Sequence, residues 1–134
     1  MVPRSRLWLL APVAALCAAD VALTLTGQPH AYWADDFGSA VEGNPLAAVV
    51  LRHSPGLFVG AAGCWLVCLA ALIVLGPPRL AAWVAVVFAA AHAVGGASWL
   101  LASDARHVLA TGAYLAAAAV AASWCWSRCA GPIS

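Results

Sequence analysis

Apolar residues in this chain gather into four long blocks instead of alternating with polar ones. The first runs from Leu7 to Thr26 and is broken only by Asp20; the second runs from Gly56 to Leu75 without a charge. The third runs from Leu80 to Ala102, interrupted only by His92, and the fourth from Val108 to Trp126, again uncharged. A helix needs roughly 20 apolar residues to cross a hydrocarbon core of about 30 Å. Ala and Leu dominate the blocks, and both favour helix. Backbone groups in lipid must be paired within their own segment. The alternation of a transmembrane β-barrel strand is missing. The pattern therefore predicts an all-α fold, a four-transmembrane-helix antiparallel bundle forming one membrane domain over residues 1–134. Pro77-Pro78 and the stretch from Ser103 to His107 are short turns between antiparallel neighbours. The connection over 27–55 is long, as functional loops often are. Its first half, Gln28 to Ser39, reads as a polar loop. Asn44-Pro45 then reads as the start of a short helix running to Leu51, with Asn as N-cap and Pro in the first helical position. Ser54-Pro55 opens the second span in the same way. Leu46, Val49 and Val50 give the short helix an apolar face, which suits the outer membrane interface.

Composition sharpens the class. The chain has 134 residues, 65% hydrophobic and 8% charged, with a mean hydropathy of +0.94. A soluble domain carries about a quarter charged residues, and disordered chains are polar or highly charged. Both classes are excluded. All six basic residues are scattered Arg, so the clustered positive charge of a nucleic-acid-binding surface is absent. Arg4 and Arg6 before an apolar run also suit a signal peptide, but the run continues past Asp20 through Val21, Leu23 and Leu25 and reads as an uncleaved helix. With four spans, Arg4, Arg6, Arg79 and Arg128 share one side. Arg52 and Arg106 share the other with Asp35, Asp36, Glu42 and Asp104. The positive-inside rule then places both termini in the cytoplasm and the protein in the inner (plasma) membrane. Trp8, Trp83, Trp124 and Trp126 at the inner ends, and Trp33 and Trp99 near the outer ends, occupy interfacial depths; Trp65 alone falls near mid-membrane.

Candidate chemistry lies in the polar residues of the spans. A charge at mid-helix costs about 2.5–3.5 kcal/mol even on the lenient insertion scale. Asp20 therefore calls for a partner, and Thr24, one turn outward, shares its face. His92 is followed on its face by Gly95 and Gly96, which leave room for a partner or ligand. Ser98, Thr111 and Tyr114 also fall in the outer half, whereas the inner half is nearly devoid of polar groups. A polar pocket open to the outer side is the expectation, with Glu42 and Asn44 in the loop above it. Its ligand would be a cation, a small polar molecule or a lipid head group. Asp20, Glu42 and His92 are the candidate metal ligands, with a divalent metal as candidate cofactor. Structural roles stand beside these: Asp20 fixing helix register, His92 as a hydrogen-bonded core histidine, Glu42 as a solvated carboxylate. Asp35, Asp36, His30 and His53 read as solvated. Rows of small residues (Gly56, Gly60 and Cys64; Ala85, Ala89, Ala93 and Ala97; Gly112 and Ala116) suit close packing within the bundle or a seam between copies. Cys64 with Cys68, and Cys125 with Cys129, are spaced i, i+4 and do not form a C-x-x-C redox motif. Embedded Cys17, Cys64 and Cys68 read as small apolar residues. Zincin, nucleophile-elbow and phosphate-loop motifs are absent.

Asp20 and Thr24 on the first helix, followed by Glu42-Gly43-Asn44-Pro45, resemble the pattern of an uncharacterised family of small bacterial multi-pass membrane proteins, with an Asp/Thr first helix and an E-x-N-P motif before the next helix. The likeness covers roughly the first three spans. This chain differs in a long polar insert before Glu42. The family carries no assigned reaction, so the resemblance supports a site and not an activity. The expected function is a non-enzymatic accessory subunit or binding module. Its partners would be membrane lipids, other membrane proteins or a second copy of itself. The alternative is an intramembrane enzyme, an acid–base or metal-assisted hydrolase on Asp20, Glu42 and His92. An ion or proton carrier would need a polar path through the inner half, and a pigment-binding subunit would use His92 as axial ligand.

Overall fold

The computed structural model describes residues 4–103 and 107–129. The turn residues Asp104 and Arg106 lie outside the described residues, as do the side chains of Arg4, Arg128 and Cys129. Four long helices, α1 (Arg4–Thr26), α4 (Pro55–Leu75), α5 (Pro78–Ser103) and α6 (Val108–Cys129), are each apolar and long enough to cross a membrane. The long connection carries α2 (His30–Trp33), a single 3-10 turn (Phe37–Ser39) and α3 (Pro45–Leu51). The two capping signals read from sequence are formed. Asn44 Oδ1 accepts from the Leu46 N–H at 3.1 Å, and Ser54 Oγ from the Leu57 N–H at 3.0 Å.

Helices joined by short turns are antiparallel, but the most extensive seam is a parallel one, between α1 and α5. Its register follows from close approaches: Asp20 meets His92 and Gly95, Leu23 meets Gly96, and Gly27 meets Trp99. Ala85, Ala89, Ala93 and Ala97 supply the small side chains that let the two backbones approach, and all four are buried. This is the packing that small residues permit in lipid. α4 lies on one flank of the pair and α6 on the other. The glycines of α4 do not join the bundle: a Cβ on Gly56, Gly60 or Gly63 would meet nothing within 4 Å, and the same is true of Gly112 on α6. The expectation that those rows build the bundle is corrected. A helix on the flank of a pair needs only one contact face, and these residues lie on the other.

Two apolar cores result. One holds Leu9, Val13 and Leu16 with Leu69, Ile73, Ala81, Val84, Ala85, Ala89 and Ala93, toward the end of the bundle where the Pro77-Pro78 turn lies. There Arg6 Nη1 donates to the Ile73 carbonyl at 3.0 Å, a cation at the C-terminal turn of α4. The second core, at the loop end, gathers Tyr32, Ala40, Leu51 and Phe58. It corrects the picture of a merely polar loop over Gln28 to Ser39. Tyr32 is fully buried, edge-on to Trp33 and Phe37 at 5.3 and 5.4 Å, and its hydroxyl donates to the Leu51 carbonyl at 3.1 Å. Gln28, also buried, donates from Nε2 to the carbonyls of Thr24 and Val41 and accepts at Oε1 from the Val41 N–H, each at 2.9 Å. The loop is thus fastened to the top of α1.

Candidate functional site

Between the two cores the helices leave a cavity of about 860 Å³. α1 lines it with Cys17, Asp20, Val21 and Thr24, α5 with His92, Gly95 and Ser98, and α4 with Phe58 and Trp65, while Glu42, Asn44 and Leu46 of the loop and α3 form its roof. Trp65 and Phe88 meet edge to face at 5.3 Å, bridging α4 and α5 along the cavity wall. Trp65, Ala61 and Ala91 of this wall are exposed.

The central contact is His92 Nδ1 to Asp20 Oδ2, at 2.9 Å. The two residues are 72 positions apart in sequence, and each is mostly buried, with 16% of the His92 side chain and 21% of the Asp20 side chain exposed. Pairing answers the cost of a carboxylate in lipid, because an opposite partner and a hydrogen bond replace lost hydration. Gly95 makes the contact possible. A Cβ there would stand 2.8 Å from both Asp20 carboxylate oxygens. Gly96 does the same for Tyr114, whose hydroxyl lies 2.7 Å from the place a Cβ would take. His92 Nε2, in contrast, is buried and among the described residues has no hydrogen-bond partner.

Of the eight residues expected at the site, six line this cavity: Asp20, Thr24, Glu42, Asn44, His92 and Ser98. Thr24 is buried, and Ser98 Oγ donates to the Gly95 carbonyl at 2.6 Å. Thr111 and Tyr114 do not line it. Their hydroxyls are buried without a partner among the described residues, Tyr114 in the seam where α6 meets Gly96 of α5. A shared depth in the membrane did not specify which seam they enter. The metal reading is also corrected. Among the described residues no three His, Cys, Asp or Glu side chains come close enough to hold an ion. Glu42 is engaged locally instead, Oε1 accepting from the Asn44 N–H at 2.7 Å.

No family model, curated protein or solved structure matches the chain. Its chemistry is read from its own side chains. Sequence reasoning missed Gln28, Trp65 and Cys17. Trp65 did carry a signal, being the only tryptophan away from an interface. Cys17 carried a weaker one, lying three residues before Asp20 and so on its face.

Proposed function

We propose that this protein is a multi-pass membrane-embedded binding module, of the accessory-subunit kind, that seats an amphiphile in the α1–α4–α5 cavity. The observation that carries this reading is the Asp20–His92 pair standing in the wall of a mostly apolar cavity, some of whose lining residues on α4 and α5 are exposed. Sites for small molecules are mostly apolar with a few fixed polar groups, and this one falls toward the upper end of their usual 300–1,000 Å³ range. Among the described lining residues are two carboxylates, Asp20 and Glu42, one histidine and no arginine. That balance favours a head group that carries a positive charge or donates hydrogen bonds, over an anionic one. Lipid chains would occupy the side bounded by Phe58, Trp65 and Phe88. The resemblance to small bacterial membrane proteins with Asp, Thr and E-x-N-P agrees with a site at this place. An inner-membrane location with cytoplasmic termini belongs to the same proposal. Its support is Arg6 and Arg79 near one end of the bundle and Asp35, Asp36 and Glu42 at the other.

Native mass spectrometry of protein released from nanodiscs of phosphatidylethanolamine and phosphatidylglycerol tests the reading. The amine lipid is expected to stay bound to the wild type and to be lost from Asp20→Ala and Glu42→Gln. Equal retention by wild type and Asp20→Ala would overturn it.

A further inference from the structure

We infer that α3 is an interfacial helix whose outward face, Leu46 and Val49, is seated in the phospholipid leaflet at the loop end of the bundle. The helix reads Pro-Leu-Ala-Ala-Val-Val-Leu and carries no polar side chain on any side. Its inward side is already occupied: Ala48 and Leu51 are buried, and Ala47 and Val50 pack against the core of Tyr32, Leu51 and Phe58. Val50 therefore belongs to the inward side and not to the outward face. The outward side holds Leu46 and Val49, three residues apart on one face, with 79% and 57% of their surface exposed. A helix packed on one side and washed by water on the other is polar on the second; one that is apolar all round has no face for water. At seven residues α3 is about 10 Å long, far short of a span, so only one leaflet is within its reach.

The exposed apolar surface of α3 is continuous with that of a membrane span. Three residues separate α3 from α4, and the opening turns of α4 expose Leu57 and Val59. The ends of α3 are polar: Glu42 and Asn44 precede it, and exposed Arg52 and His53 follow it. An apolar stretch between polar ends suits a helix lying in the membrane plane, its apolar face sunk by about 5–10 Å. Arg52 suits the phosphates at that level, since its head can bind them while its stem stays in the apolar layer. Trp33 marks the same depth. It is exposed and lies edge-on to Tyr32 at 5.3 Å, and Tyr32 is tied to α3 by its hydrogen bond to the Leu51 carbonyl. Tryptophan concentrates at membrane interfaces. Leu46, Ala47 and Val50 also line the cavity, together with Glu42. Seated in this way, α3 holds the roof of the cavity at the level of the lipid head groups.

Methyl NMR of the full-length protein, labelled at Leu and Val and held in phospholipid nanodiscs, tests this seating. One sample carries a phospholipid with a nitroxide near the top of its acyl chain; the other has a gadolinium chelate dissolved in the water. The methyls of Leu46 and Val49 are expected to lose signal to the lipid-borne nitroxide, as those of Leu57 and Val59 do, and to keep it against the chelate. Val49→Asp, at a position that does not line the cavity, should reverse the balance at Leu46, which then loses signal to the chelate. Val49→Leu should behave as the wild type. The wild-type measurement needs no substitution, so it decides the matter even if the Asp variant does not fold. Loss of the wild-type Leu46 and Val49 signals to the chelate would show a face turned to water and overturn the inference. Retention of both signals against both probes would show the face covered by protein, a second copy or another subunit, and overturn it equally. A folded Val49→Asp with Leu46 still shielded from the chelate would also count against it.

Discussion

At the scale of single residues, the absence of a side chain at position 95 matters as much as the groups that touch. A methyl on Gly95 would press on both Asp20 oxygens at 2.8 Å. Gly95→Ala is expected to displace the carboxylate from His92 and to cost about 1–3 kcal/mol, the usual range for overpacking. A lower melting temperature in nanodiscs, with loss of the retained amine lipid, is the expected result; an unchanged melting curve would speak against it. Asp20 and His92 were legible in the sequence because each is a lone ionisable residue in an apolar run, and lipid compels such groups to meet. Thr111 and Tyr114 were misjudged because distance from the membrane surface says nothing about azimuth. Cys17 was overlooked as a lining residue of the cavity, since a membrane cysteine most often behaves as a small apolar residue.

At the scale of elements, the loop that roofs the cavity is held by Gln28 and Tyr32. Gln28→Ala removes three hydrogen bonds at once. Water can satisfy the two Val41 groups, because Val41 is exposed, but the freed Thr24 carbonyl is buried and costs about 1–3 kcal/mol. The expected effect is faster hydrogen exchange over residues 37–44 with a loss of global stability of that size. Burial pushes the Tyr32 phenol above its usual 10.0. The folded state then holds that proton more tightly than the unfolded chain, so the contribution of Tyr32 is complete below pH 10 and fades as pH rises through the folded value. The stability gap between wild type and Tyr32→Phe should narrow in alkaline buffer, which denaturant titrations at neutral and alkaline pH would reveal. α3 and the start of α4 were readable from sequence, because Asn-Pro and Ser-Pro announce helix starts through local hydrogen bonding. α2 was not, since its single turn is stabilised by Tyr32 entering a core assembled from distant residues.

At the scale of the whole molecule, number and length of spans followed from hydropathy alone, but helix order in space did not. Small residues recur on α4, α5 and α6, and only those of α5 are buried in the central seam. Gly60→Leu should alter unfolding by no more than about 0.5 kcal/mol, as surface substitutions do. Ala93→Leu should cost about 1–3 kcal/mol or more through overpacking. Chemical unfolding of both in the same detergent compares them directly, and equal effects would contradict the central α1–α5 pair. That pair also has a consequence for birth order. Its two members are separated in synthesis by the long loop and α4. Asp20 thus enters the bilayer long before the ribosome has reached His92. The nascent chain must shelter an unmatched acid until its late companion arrives. Halting translation just before α5 should therefore leave α1 loosely held, sliding toward water or into the grip of an insertion factor.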